Sequence, residues 1–150
     1  MHSADLTTDA AESPATARNH LSGLLSGLVA RTPGALDALL GTNDGLKLAF
    51  THASLDTADA MAAAVSSLIS VGRTPWHDSS GRVRQVVVEH DDGHLFVMST
   101  GTMSGDGLST VLGVLTTPEA DPGQVGHEMA TLITGLDEHL VTRARRNTVG

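Results

Sequence analysis

The chain of 150 residues contains no cysteine, which excludes disulfides, thiolate zinc sites and cysteine nucleophiles. Aromatic side chains are nearly absent, with Phe50, Trp76 and Phe96 the whole set. The core must therefore come from Leu, Val, Ile, Met and Ala, and stacking of nucleobases has little to work with. Basic residues are the minority, nine against seventeen acidic, for a formal charge of −8. That balance disfavours a broad basic face for nucleic acid or anionic lipid. No apolar run approaches the roughly 20 residues that span a bilayer. The opening "MHSADLTTDAAESPATAR" lacks the apolar segment of a secretory signal. A soluble cytoplasmic protein is expected, with no nucleic-acid partner and no direct membrane insertion. What is present is 40% apolar content, over a length that suits one domain with a real core.

Residues 1–17 hold almost no large apolar side chain and read as a disordered leader. Leu21, Leu24, Leu25 and Leu28 follow a helical period, giving a first helix over about 18–31 that Thr32-Pro33-Gly34 stops. Two short strands, about 35–42 and 45–51, flank Asn43-Asp44-Gly45, where Gly45 supplies the positive φ of a tight turn. "SLDTADAMAAAVSSLISVGR" is a second helix. Met61, Val65, Leu68 and Ile69 form its apolar stripe, Thr57 is its expected N-cap and Gly72 its expected stop. After the loop "PWHDSSG" come three more strands, "RVRQVVVEH", "HLFVMST" and "TVLGVLTT". The last helix has Asp121 as N-cap and Pro122 in first position, followed by a stripe of Val125, Met129, Leu132, Ile133, Leu136 and Leu140. The basic tail 143–150, with Arg143, Arg145 and Arg146, reads as flexible and solubilising. The order is α-β-β-α-β-β-β-α. Tight turns between consecutive strands favour an antiparallel sheet. Strands that are apolar on both faces, such as Val86 to Val88 and Val111 to Leu115, indicate helices on both sides. The fold class is α+β, with a five-stranded antiparallel sheet.

The chemical inventory is sparse. "EHDDGH" (Glu89 to His94) offers two histidines and three carboxylates, but an exposed hairpin turn explains all of them. Its metal reading, a hydrolase through His90 and His94, has no selective ligand set behind it. His127-Glu128 begins like a zinc-protease motif, yet position 131 is Thr. Gly101, Gly105 and Gly107 lead into a strand and not into a helix N-terminus, so they are no phosphate cradle. The only lysine, Lys47, reads as a solvated strand residue beside a turn. No catalytic residues, metal or cofactor are expected. The third strand, however, has no hairpin partner before it. If it is a sheet edge, it has to be covered, charged or paired with another chain. Two copies joined there would extend the sheet through a two-fold axis. The expected homodimer contacts are Arg84, Val86 and Val88 on that strand, with Met61, Val65 and Leu68 on the second helix.

In its element order and in the motifs "VARTPG", "GLKLA", "VRQVVVE" with "GHLFV", and "ADPGQVGHEMA", the chain resembles the roadblock / dynein light-chain family over about residues 18–142. It is most similar to the actinobacterial members encoded in conservon operons. The resemblance implies a roadblock or profilin-like shape, a homodimer with a continuous sheet and paired second helices, and binding to a small Ras-like GTPase. Some bacterial relatives activate GTP hydrolysis and others are scaffolds. A conservon set also pairs such a protein with a sensor-kinase-like membrane protein, which would recruit it to the membrane. The family fixes no GTPase-contact residues; the candidates are Asp59, Ser66, Ser70 and Arg73, on the side of the second helix away from its apolar stripe. The alternative is a small-molecule-binding sensory domain of profilin or PAS-like shape, with the loop at 75–81 as its gate.

Overall fold

A computed structural model describes residues 14–51, 53–103 and 109–149. The elements are α1 (Pro14–Arg31), β1 (Ala35–Thr42), β2 (Lys47–Phe50), α2 (Leu55–Arg73), β3 (Gln85–His90), β4 (Gly93–Met103), β5 (Ser109–Thr116) and α3 (Pro122–Val149). A 3₁₀ turn, Thr74–Trp76, follows α2. The five strands form one antiparallel sheet in the order β2-β1-β5-β4-β3. β5 is thus the middle strand, and β2 and β3 are the edges.

Because strand side chains alternate, each strand feeds two cores. Ala38, Leu40, Phe96, Leu112 and Val114 point to the face covered by α1 and α3, where they meet Leu25, Leu28, Val125, Met129, Leu132 and Leu136. Leu39, Val97 and Val111 point the other way and meet Ala58, Met61, Ala62, Val65 and Ile69 of α2. Phe96 is the largest fully buried side chain and sits opposite Val114. Arg31 Nε donates to Glu128 Oε1 (3.1 Å), tying α1 to α3 at the surface.

Close packing on the α2 side depends on Gly113. A Cβ there would lie 2.7 Å from Val65 Cγ1, so α2 rests directly on the backbone of the middle strand. Gly93 (φ +155°) is required for a similar reason, since a Cβ would collide with the Thr116 carbonyl oxygen. Gly45 has the positive φ expected of it.

Several boundaries differ from the sequence reading. The side chain of Ser54, and not that of Thr57, caps α2: its Oγ accepts from the Thr57 N–H (3.2 Å). Gly72 does not stop that helix, which runs on to Arg73. Gly72 faces Val83 and Val86, where an added Cβ would be in ordinary contact at 3.4–3.7 Å. α1 begins at Pro14, four residues inside the expected leader segment. Pro is suited to a first helical position, and Ala15, Ala17 and Arg18 favour helix. Residues 1–13 lie outside those described. α3 continues to Val149 through the stretch expected to be a flexible tail, where Arg143, Ala144, Arg145 and Arg146 are strong helix formers. Asp121 does cap α3, accepting from the Gly123 N–H (3.2 Å). The side chain of Leu140 and the loop residues 104–108 are outside the described set.

Gly113→Ala is expected to destabilise by about 1–3 kcal/mol through overpacking. Val65→Ala in the same chain should recover part of that loss. Urea unfolding of both single variants and the double variant measures the coupling, and simple additivity would show that the contact does not hold α2 in place.

Candidate protein-interaction surfaces

β3 has a paired side and a bare side. The Ser99 N–H donates to the Arg84 carbonyl (3.2 Å), and Ser99 Oγ donates to the Val83 carbonyl (2.5 Å). Arg84 therefore shares the β4-facing register of Val86, Val88 and His90, whose partners are Val97, Leu95 and Gly93. By alternation, the backbone groups of Gln85, Val87 and Glu89 point away from β4, toward the free edge. Along that edge Val87 is 41% exposed and Val88 37%. Helices cover the sheet on both faces as expected, but α2 lies over its middle, and toward β3 it meets Val83 and Val86 near Gly72.

The expected dimer contacts divide accordingly. Arg84 and Val88 are exposed, and Val86 and Leu68 are half-buried beside the edge. Met61 and Val65 are buried within the single chain, against Leu39, Val97 and Val111. Their side chains are thus committed to the chain's own core. The α2 flank that turns toward β3 carries Ala60, Ala64 and Leu68, spaced four apart, and Val71 stands between it and the groove beside Asn43 and Asp44. Val71 is 70% exposed. Ala60 and Ala64 are small enough for another helix to approach closely. Of this flank the expected contacts included Leu68 and not Ala60.

Asp59, Ser66, Ser70 and Arg73 lie on the opposite flank of α2, toward β1 and β2, with spacings of seven, four and three. The Lys47 ammonium pairs with Asp59. A Cβ on Gly45 would contact Ser66 Oγ at 3.4 Å. Ser66, Ser70, Asn43 and Asp44 share one shallow groove. Asp59, Ser70 and Arg73 are exposed and Ser66 is half-buried, so the four form one line on the surface. Lys47, expected to be merely solvated, is thus part of this flank.

"EHDDGH" forms the tight turn between β3 and β4: His90 pairs with Gly93, and His90 Nδ1 accepts from the Asp92 N–H (3.0 Å). His90 and His94 belong to opposite faces of the hairpin. The His94 ring meets Phe96 edge-on at 6.1 Å, and its Nδ1 is buried with no hydrogen-bond partner among the described residues. Among those residues no group of three or more His, Asp or Glu is placed to hold a metal ion. Nor is any described helix long and apolar enough to cross a membrane.

Residues 21–116 match the family model described as Roadblock/LC7 domain. A comparison with curated proteins returns no match. Among solved structures, a Roadblock/LC7 domain from Streptomyces avermitilis is 40% identical, with a TM-score of 0.71 over 80% of this chain and 97% of that one. A second Roadblock/LC7 domain from the same organism is 28% identical, with a TM-score of 0.61 over 77% of this chain and 96% of that one. The gliding protein MglB from Thermus thermophilus shares the fold at 18% identity, with a TM-score of 0.64 over 77% of this chain and 84% of that one. The five-stranded sheet with α1 and α3 on one face and α2 on the other, and a family match that spans it from α1 to the end of β5, establish that this chain belongs to the Roadblock/LC7 family.

Proposed function

We propose that this chain is a homodimeric regulatory or scaffold protein that binds a small Ras-like GTPase and carries out no reaction of its own. The observation that carries the reading is the β3 edge, left bare by the described residues and continuous with the Ala60–Ala64–Leu68 flank of α2, where Ala60 is exposed and Ala64 and Leu68 are half-buried. An unpaired edge with exposed valines is a template for another strand, and a second copy supplies one with matching chemistry. β3 is preceded by Arg84 and ends in Glu89, followed by Asp91 and Asp92. In an antiparallel pair the basic start of one copy lies beside the acidic end of the other, which favours two-fold pairing over parallel association. With Val87 opposite itself, Val86 meets Val88 of the second copy on the α2 face.

The GTPase partner is what family membership suggests. The Asp59–Ser66–Ser70–Arg73 flank supports it by lying on the other side of α2 from the bare edge, so a dimer leaves it free in both copies. Any effect on hydrolysis would come from reshaping the GTPase's own site, because phosphoryl transfer depends mostly on positioning and electrostatics. The finer setting is a cytoplasmic signalling set of conservon type, held at the membrane by a sensor-kinase-like protein. A small-molecule sensory role is the second reading, favoured by a cleft of about 450 Å³ beside the 79–83 loop.

Val88→Asp is expected to give folded monomers, since Val88 is exposed in the single chain. Light scattering coupled to gel filtration checks this, and unchanged dimers would remove β3 from the interface. Asp59→Arg and Ser70→Arg should leave the dimer intact and weaken binding at least about tenfold to a Ras-like GTPase encoded alongside this chain. The GTPase is loaded with GDP or a non-hydrolysable GTP analogue, and its hydrolysis rate separates activator from scaffold. Because the Lys47–Asp59 pair is at the surface, Asp59→Asn should cost less than about 1 kcal/mol in urea unfolding. Equal affinity of wild type and both arginine variants for the GTPase would move the contact off this flank.

A further inference from the structure

The C-terminal end of α2, the loop at 79–83 and the adjoining ends of β4 and β5 enclose a cleft of about 450 Å³, the size of a small-ligand site. Its chemistry is one-sided. Arg73 and Arg82 reach it from two different elements, the hydroxyls of Ser79 and Ser80 line it, and among the described residues no carboxylate does. That is unusual for a chain with a formal charge of −8. Arg31 and Lys47 are each matched to a carboxylate, whereas Arg73 and Arg82, like Arg84, form no ion pair among the described residues. The Arg82 guanidinium lies across Gly101, where a Cβ would be 2.8 Å from Nη1, so a glycine with φ +82° makes room for it. Ile69 and Val83 supply an apolar wall.

We propose that this cleft binds a small phosphate ester, with the phosphate between Arg73 and Arg82 and the organic body against Ile69 and Val83. Two guanidinium forks from separate elements, with hydroxyl donors between them, suit a dianion with three terminal oxygens; one fork already satisfies a carboxylate. The site goes beyond the partner-binding reading. It lies where the Arg73 end of one α2 flank approaches the start of β3, so its occupant would touch both surfaces assigned to protein partners.

The test uses the full-length chain and glycerol 3-phosphate, inorganic phosphate and succinate as probes, titrated calorimetrically at constant ionic strength. Trp76, exposed and one residue before the loop at 77–81, gives a fluorescence signal in parallel. The expected result is saturable binding of glycerol 3-phosphate, tighter than that of phosphate and much tighter than that of succinate. Arg73→Gln and Arg82→Gln should each weaken it at least about tenfold, the loss of a charge-assisted hydrogen-bonded pair. Both variants should keep the wild-type circular dichroism and unliganded melting temperature, since both side chains are exposed. Arg82→Lys, which keeps the charge and loses the fork, should fall between. Absence of saturable binding for every phosphate, equal binding of succinate, or binding indifferent to both glutamine variants would overturn the site. None of these outcomes depends on whether a GTPase binds.

Discussion

The contact of Val65 with the bare backbone of Gly113 decides where α2 lies. Because Gly113 belongs to the middle strand, the helix is centred on the sheet. Five strands span roughly 20 Å from edge to edge, while one helix covers about 10 Å. The opposite face has α1 and α3 to share the work, and the α2 face has a single helix. An edge strand on that face is therefore left partly bare by geometry. At β2 the bare stretch is short, four residues, and bordered by the Lys47–Asp59 pair. At β3 it is longer and apolar, with Val86 and Val88 on the same face as Leu68. The uncovered area and the unpaired backbone thus coincide at this edge, which is the physical basis of the proposed pairing.

A core almost without aromatic rings reinforces the same arrangement. With Phe96 the only ring fully inside, thickness between layers is set by Leu, Val and Met, and close approach replaces bulk. Gly113 under Val65 is the instance on the α2 side. The alanines of α2 extend it outward: Ala58 and Ala62 pack on the sheet, while Ala60 and Ala64 leave the flank shallow. A helix with that profile presents backbone-near surface to a neighbour, and most of its side chains have little rotamer entropy to lose on contact.

Most of the architecture was legible in the sequence because it follows from periodicity and punctuation. β1 was readable at 35–42 and α3 at Asp121-Pro122, where turn residues and caps stand beside apolar patterns. Which residues of α2 are surface and which are core was only half legible. Val86, Val88 and Leu68 are at or beside the sheet edge, whereas Met61 and Val65 are buried, because a helix's strongest apolar stripe belongs to its own core. The flank from Ala60 to Leu68 is less apolar than that stripe, so hydrophobicity ranks it second. The cap of α2 was misplaced because Ser54 and Thr57 both suit the position, and only the backbone decides that Ser54 is extended, with φ −65° and ψ 163°. The arginine cleft was not legible at all. Arg73 and Arg82 are nine positions apart on different elements, and nothing in a linear pattern says that the loop between them folds back.

An exposed apolar edge is also a route to uncontrolled strand addition, and the charges on β3 bear on that hazard. Arg84 stands at one end of the edge and Glu89, Asp91 and Asp92 at the other. A strand added in parallel sets like charge beside like charge at both ends; one added antiparallel sets each against its opposite. The turn at Asp91-Asp92 also ends the ladder abruptly, so a long foreign strand finds only a few backbone groups to pair with before it meets two carboxylates. The same residues that look like a metal site in one dimension thus end the open edge with charge, and in the proposed dimer they favour antiparallel over parallel pairing.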